Sequence, residues 1–478
     1  MQNNSDRKDI RALIDRYENM LLSGKKVYFD TDEFEILADY YMSVDDNTYA
    51  EEIIDEGLIM HPNSPTLTIL KAKNLLALGD YEEALSNIEA FSEEGDLDIS
   101  LIKVEAMLNM GLSKEAEEII NSTISSNLST EDLYTFMTEL GFIMNDISKY
   151  DKAAYYLEQS LKIENQNTEV ITDLAFAYEM MEDYDKAIYY NNTILDQDPY
   201  SYEGWVNLGK LYSLKEEFGK AIDAFDFAST INEDDVGALK MKALSLFLND
   251  NTEEAIKIFE ECISINPNDI TVYDSIIEGY ELLGQYEDMI KFLDLKEERF
   301  GPEGIAIKRA FVEVLKNNLL KAWEIYNEIP EDERDSVDFY MLEAELNFLY
   351  GNIRESEASY IKAALFYDDD VDIIDRLANV SVAQEKYEQA AEYLEKLLDL
   401  DPEYPTAKTR LAIIRFEIGT KEPFDELMDQ FSDDELREMM QFISGDDNKD
   451  YSQYTREQML MRLNEARENR ILFKNIKY

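Results

Sequence analysis

Residues able to do chemistry are scarce. The 478-residue chain holds one histidine, His61, and one cysteine, Cys262. A single thiol excludes an internal disulfide and any multi-thiolate zinc site. A single imidazole excludes two-histidine metal motifs, and without a paired nucleophile it makes no catalytic site. His61 precedes Pro62 in HPNS and is expected as an exposed turn residue. No glycine-rich phosphate loop and no Ser/His/Asp constellation occurs. No catalytic residue and no cofactor is therefore expected. One stretch has metal-ligand spacing. In DDNKDYSQYTRE, residues 446–457, Asp446, Asn448, Asp450, Ser452 and Glu457 fall at calcium-loop positions. Against calcium, Tyr451 stands where such a loop turns on glycine, and Gln453 stands where it carries an apolar residue. The competing expectation is a polar loop followed by a helix capped at Thr455.

The elements that would position any site are helices. Only 17 Gly and 9 Pro are present, and the apolar residues recur by threes and fours. No long period-two run occurs, so the chain reads as all-α. The N-terminal MQNNSDRKDIRALIDRYENM lacks the apolar core of a secretory signal, and no apolar run approaches the ~18–20 residues that cross a bilayer. The expectation is a cytoplasmic protein. A formal net charge of −59 repels nucleic acid and anionic lipid and attracts a basic partner. It also solvates a large helical surface.

The helices repeat. WVNLGKLY, 205–212, is followed by FGKA, 218–221; YDKA ends at Ala187 and again at Ala153. The anchor position runs Ala50, Ala84, Ala116, Ala153, Ala187, Ala221, Ala255, Met289, Ala322, Ser356, Ala390, mostly in steps of 34. Twelve residues before each anchor stand Ala38, Ala72, Val104, Gly141, Ala175, Gly209, Ala243, Ile277, Ala310, Ala344 and Ala378. Small side chains at both positions let two helix backbones approach. Pro62, Pro199, Pro267 and Pro402 stop the second helix of their units. Each unit reads as helix A, a tight turn, helix B and a short Asp/Asn/Pro turn. Gly79, Gly111, Gly284, Gly351 and Gly419 fall at the A–B turn, where glycine takes a left-handed C-cap. A period of 20–50 residues means stacked supersecondary units that bury their apolar faces on one another.

The period, the set Trp205, Leu208, Gly209 and Tyr212, the set Ala221, Phe225 and Ala228, and the terminal Pro together resemble the tetratricopeptide repeat. The resemblance covers about eleven repeats over residues 31–404. Departures are a stretched unit near 97–133, Met289 and Ser356 at the anchor, and Glu233 in place of a Pro. It implies a right-handed α-solenoid whose A helices line a concave groove. Residues 1–30 would hold a capping helix over 5–22, and 405–478 a partial repeat and capping helices at PFDELMDQF, SDDELREMMQFI and TREQMLMRLNEARENRILF. Ser432 with Glu435, and Thr455 with Gln458, have capping-box spacing.

In register, the inward residues of the central A helices include Phe142, Phe176, Asn207, Lys210, Lys240 and Leu244. They would take an extended or helical peptide, or else pack between neighbouring A helices. A subset of the family grips a terminal carboxylate with five Lys, Asn and Arg residues; Thr172, Phe176, Asn207, Gly237 and Met241 stand at those places, and only Asn207 matches. The sequence therefore points to a non-enzymatic scaffold that binds a protein or peptide, basic in character, in the groove or on the acidic outer face. It would bind neither nucleic acid nor membrane and act as a monomer. The alternative is a regulatory receptor for a small peptide that changes the superhelix.

Overall fold

The computed structural model describes residues 3–24, 27–89, 96–232, 235–402, 404, 406–418, 428, 431–444, 451 and 453–468. Among them no strand occurs. The chain forms two compact units, Met1–Asn251 and Thr252–Tyr478. In the first, α1 (Asn3–Ser23) precedes the A helices α2 (Thr31–Ser43), α4 (Pro65–Leu78), α6 (Leu97–Asn109), α8 (Thr130–Asp146), α10 (Thr168–Met180), α12 (Tyr202–Leu214) and α14 (Val236–Leu248). Between them run the B helices α3 (Asn47–Met60), α5 (Tyr81–Ile88), α7 (Ser113–Ser125), α9 (Tyr150–Leu161), α11 (Tyr184–Gln197) and α13 (Phe218–Ile231). The second unit opens with the B helix α15 (Thr252–Ile265) and repeats the alternation. Its A helices are α16 (Ile270–Leu282), α18 (Ile305–Leu315), α20 (Val337–Tyr350), α22 (Val371–Ala383) and α24 (Ala407–Glu417), with α17 (Tyr286–Phe300), α19 (Leu319–Glu328), α21 (Ile353–Ala364) and α23 (Tyr387–Leu400) between them. Each unit is thus an all-α solenoid of stacked helix–turn–helix repeats.

The A helices start where a side chain can cap them. Asp30, Ser64, Asp96, Ser129, Asn167, Ser201, Asp235, Asp269, Ser336 and Asp370 each accept a hydrogen bond from a first-turn amide, whereas α18, entered through Gly304, has no side-chain cap. They stop at one recurring turn. The residue five before every anchor has positive φ: Asp45, Gly79, Gly111, Ser148, Glu182, Glu216, Asp250, Gly284, Asn317, Gly351 and Glu385. The next amide then reaches back five residues, as Asp80 N to Leu75 O at 2.9 Å or Lys386 N to Ser381 O at 2.9 Å, closing a Schellman turn in every repeat. Four of the five expected glycines take this conformation; Gly419 lies outside the described residues, as does Glu233.

All eleven anchors are buried, Met289 and Ser356 included, and so are all eleven small positions. What fills the space over a small residue is the side chain four after the anchor. A Cβ on Gly141 would stand 2.3 Å from Leu157 Cδ2, and one on Gly209 would stand 2.7 Å from Phe225 Cε1. Ten of the eleven residues at that place are large: Ile54, Ile88, Ile120, Leu157, Phe225, Phe259, Leu293, Tyr326, Tyr360 and Leu394. The eleventh is Asn191, which is buried, donates to Ala187 O at 3.0 Å and leaves its Oδ1 without a partner. Cys262 is fully buried in α15, as a small core residue would be. The stretched repeat is taken up by α8, which has 17 residues where most A helices have 13.

His61 is a correction. It is partly buried rather than exposed: its Nε2 donates to Phe29 O at 2.8 Å, with the ring edge-on to Tyr28 and Phe34. The imidazole ties the end of α3 to the segment entering α2. At the C-terminal end, the helix expected at SDDELREMMQFI runs Asp433–Ser444 and the next runs Arg456–Glu468. Both capping boxes form, Ser432 N to Glu435 Oε2 at 2.6 Å and Thr455 N to Gln458 Oε1 at 3.0 Å. PFDELMDQF and the calcium-spaced stretch lie largely outside the described residues, Asp446, Asn448, Asp450 and Ser452 among them.

Candidate interaction face of the first unit

From α2 to α10 neighbouring A helices touch directly, with no comparable contact between successive B helices among the described residues. The first unit therefore bends toward its A helices, and their shared face lies on the inside of the bend. The residue after each small position forms a row along that face: Asp39, Lys73, Glu105, Phe142, Phe176, Lys210 and Leu244.

Four of the six expected groove residues belong to this row. Phe142 is half-buried against the core that runs from α6 to α12. Phe176 is exposed and meets Tyr150 edge-on at 5.9 Å. Lys210 is exposed, and Leu244 is half-buried. Asn207 and Lys240 lie two and three residues before their small positions, one helical turn from the row, and both are half-buried.

The most distinctive groups on this face are carboxylates that spacing alone does not single out. Asp39, Glu105, Glu139, Asp146 and Asp173 stand on α2, α6, α8 and α10, and each is held above its ordinary pKa. Desolvation is the leading cause in all five. For Glu105, the like charges of Asp146 and Glu139 add to it. For Asp173, Asn145 works the other way, donating through Nδ2 at 3.2 Å, while Glu169 and Asp146 repel. Asp39, Glu139 and Asp146 still reach water, so burial here means flanking by neighbouring helices rather than enclosure. Lys73 is the cation that eases Asp39, Glu105 and Glu139, and its ammonium is already bonded to Asp98 at 2.8 Å. A face of this kind favours incoming positive charge, because each carboxylate regains as an ion pair what it loses by leaving water.

Among the described residues no group of three or more His, Cys, Asp or Glu is placed to hold a metal ion, and no helix is long and apolar enough to cross a membrane.

A repeated A–B unit with one turn geometry throughout defines a helical repeat protein. Three stretches match family models described as tetratricopeptide repeat, residues 148–202, 238–269 and 376–422. In these three stretches the chain carries tetratricopeptide repeats. Similar solved structures include yeast Tom70, at 16% identity over 97% of this chain and 96% of that one, with a TM-score of 0.41. Cut9-Hcn1 of the APC/C is 13% identical over 86% and 94%, with a TM-score of 0.36. MamA is 25% identical over 35% and 92%, with a TM-score of 0.34. Among curated proteins no relative matches the sequence.

Proposed function

We propose that this chain is a non-enzymatic scaffold whose array, residues 31–404, binds other proteins, and that the A-helix face of the first unit takes a lysine- or arginine-rich segment. The observation that carries this reading is the set of five desolvated carboxylates along α2–α10, among which Lys73 eases three. The row beside them supplies Phe142 and Phe176 as apolar contacts within the same stretch. A basic segment laid along the face would meet charge on α2–α6 and aromatic rings on α8 and α10. Specificity and association rate would come from the charge, and the rings would slow release.

The test is fluorescence anisotropy of a labelled alternating Lys/Ala peptide against the full chain and a Glu105→Gln/Glu139→Gln/Asp173→Asn variant. Binding weakened at least tenfold in the variant supports the reading. Equal binding by both proteins sinks it and moves the basic partner to the outer surface.

A further inference from the structure

A second binding feature lies away from that face. An open cavity of about 370 Å³ sits among α9, α10 and α11 on the B-helix side of the first unit. This is the lower range of small-ligand sites. Its floor is apolar, with Ile171 buried beneath it. One wall is a corner of two tyrosines: the rings of Tyr189 and Tyr190 lie 5.1 Å apart at 78°. Tyr190 is backed by Tyr178, parallel to within 5° at 5.8 Å, which fixes the inner ring. Opposite stands the half-buried carboxylate of Glu158. Its Oε1 accepts from Tyr178 Oη at 2.5 Å, and its Oε2 accepts nothing from the described residues.

Packing does not ask for this arrangement. Tyr189 and Tyr190 are two and three residues after their anchor. The other repeats carry Glu-Ile, Ser-Asn, Asp-Ala, Lys-Ile, Lys-Phe, Ala-Ser or Glu-Tyr there, except for the adjacent Tyr155–Tyr156. Tyr189 is 65% exposed, so the solenoid gains little from its ring. A tyrosine corner facing a carboxylate is instead a receptor for a cation, since ring faces and the anion attract the same charge. The one cation among the lining residues is Lys162, and its ammonium is held by Gln159 of its own helix at 3.1 Å.

We infer that this cavity seats an arginine side chain of a protein partner, its guanidinium flat against a tyrosine ring and donating to Glu158. A planar guanidinium can stack and donate in its own plane at once, which an ammonium cannot. Thr193 and the net charge of −59 add an acceptor and an attractive field. The site does not depend on the A-helix face being a binding surface.

The test is saturation-transfer NMR on the full chain with acetyl-arginine amide, and with acetyl-lysine amide and acetyl-phenylalanine amide at the same ionic strength. The expected result is saturable binding of the arginine probe, about tenfold weaker in Glu158→Gln and in Tyr189→Leu, and unchanged in the Glu105→Gln/Glu139→Gln/Asp173→Asn variant. Tyr189 is exposed enough for its variant to fold, which circular dichroism would verify. Absence of saturable binding, equal binding of lysine and arginine probes, preference for phenylalanine, or indifference to both cavity variants would each overturn the assignment. Because the groove variant is read in the same experiment, failure here is separable from failure of the groove.

Discussion

The two units use one repeat and treat charge on their A helices in opposite ways. In the second unit three A-helix carboxylates, Asp274, Glu345 and Asp375, are answered from within. Arg410 pairs with Asp375 and bonds Asn379 at 2.7 Å. Lys296 reaches Asp274 at 2.5 Å, and Glu345 takes Tyr360 Oη at 2.7 Å with Arg376 at 3.9 Å. In the first unit, Lys73 stands among five carboxylates. Among the described groups, every carboxylate held above its ordinary pKa belongs to the first unit, while Glu313, Glu357 and Glu435 of the second are held below theirs. Glu33, Glu117 and Glu217 of the first unit are also lowered, by Arg16, by Lys152 and by Lys220 with Lys215, and none of the three belongs to the set of raised carboxylates on α2–α10. The raised carboxylates on the A helices of the first unit thus have no counterpart among the described groups of the second.

The comparison breaks most sharply at Arg410. Its pair with Asp375 is largely buried on both sides, with side-chain exposures of 14% and 16%. Arg410→Met should leave Asp375 uncompensated and cost the second unit about 3 kcal/mol. Lys73→Met, whose pair with Asp98 is about half exposed, should cost the first unit about 0.5 kcal/mol or less. Chemical denaturation followed by unit-resolved hydrogen exchange reads both. Equal losses would mean that the two faces do not differ in internal pairing.

Packing gives the next effect. Gly141→Ala drives a Cβ into Leu157, and Gly209→Ala drives one into the Phe225 ring. Each should cost about 1–3 kcal/mol. At the matching place in the second unit Ala310 or Ala344 already faces Tyr326 or Tyr360, so Ala310→Gly should lose helix propensity and contact instead, about 1 kcal/mol. A stable Gly141→Ala protein would show that Leu157 has room to turn aside.

Acid should separate the units in sign. A carboxylate raised in the folded state binds its proton there first. The first unit therefore gains stability as pH falls through those raised values, and the gain is complete below the unfolded carboxylate values near 4. A carboxylate lowered in the folded state does the reverse. Glu313 and Glu357 stabilise the second unit above the unfolded value, and that contribution fades as pH falls through their lowered ones. Hydrogen exchange between about pH 7 and about pH 5 should show the first unit tightening while the second does not. Parallel behaviour would mean that the overall charge, rather than the face, governs both.

How much of this was legible in the sequence follows from what repeats. The anchors, the small positions and the A–B turn recur at a fixed period, so eleven weak signals reinforce one another, and the fold can be read from Ala50 to Ala390. The binding features do not repeat. Asp39 and Glu105 lie in the same row as Phe142 and Phe176, but among 104 Asp and Glu a carboxylate carries no signal by type. What marks them is desolvation by the flanking helices with one cation, Lys73, shared among several carboxylates, which depends on neighbours across helices. The cavity at Glu158 and Tyr189 depends likewise on which side chains two successive B helices, α9 and α11, present to each other. A doubled Tyr at 155–156 and again at 189–190, at the same register, was the available clue. His61 was misplaced because its partner, the Phe29 carbonyl, is backbone, which spacing of side chains cannot reveal.

The smallest effects test the turn that both units share. Every repeat needs one left-handed residue, and glycine supplies it at Gly79 and Gly111 in the first unit and at Gly284 and Gly351 in the second. Elsewhere Glu182, Glu216 and Glu385 hold φ near +59° with a full side chain. That conformation costs a non-glycine residue about 1–2 kcal/mol, and glycine returns part of the gain as unfolded-chain entropy. Glu182→Gly, Glu216→Gly and Glu385→Gly should each stabilise their unit by about 0.5–1 kcal/mol, and Gly79→Ala and Gly351→Ala should each destabilise by about 1 kcal/mol. The gains should be the same in both units, because the Schellman bond from the following amide is the same: 2.9 Å at Asp183, at Glu217 and at Lys386. A glycine that stabilised only the second unit would show that, in the first, removing Glu182 or Glu216 alters the charge as well as the strain. The contrast between the units would then extend beyond the A-helix face to the turns that end it.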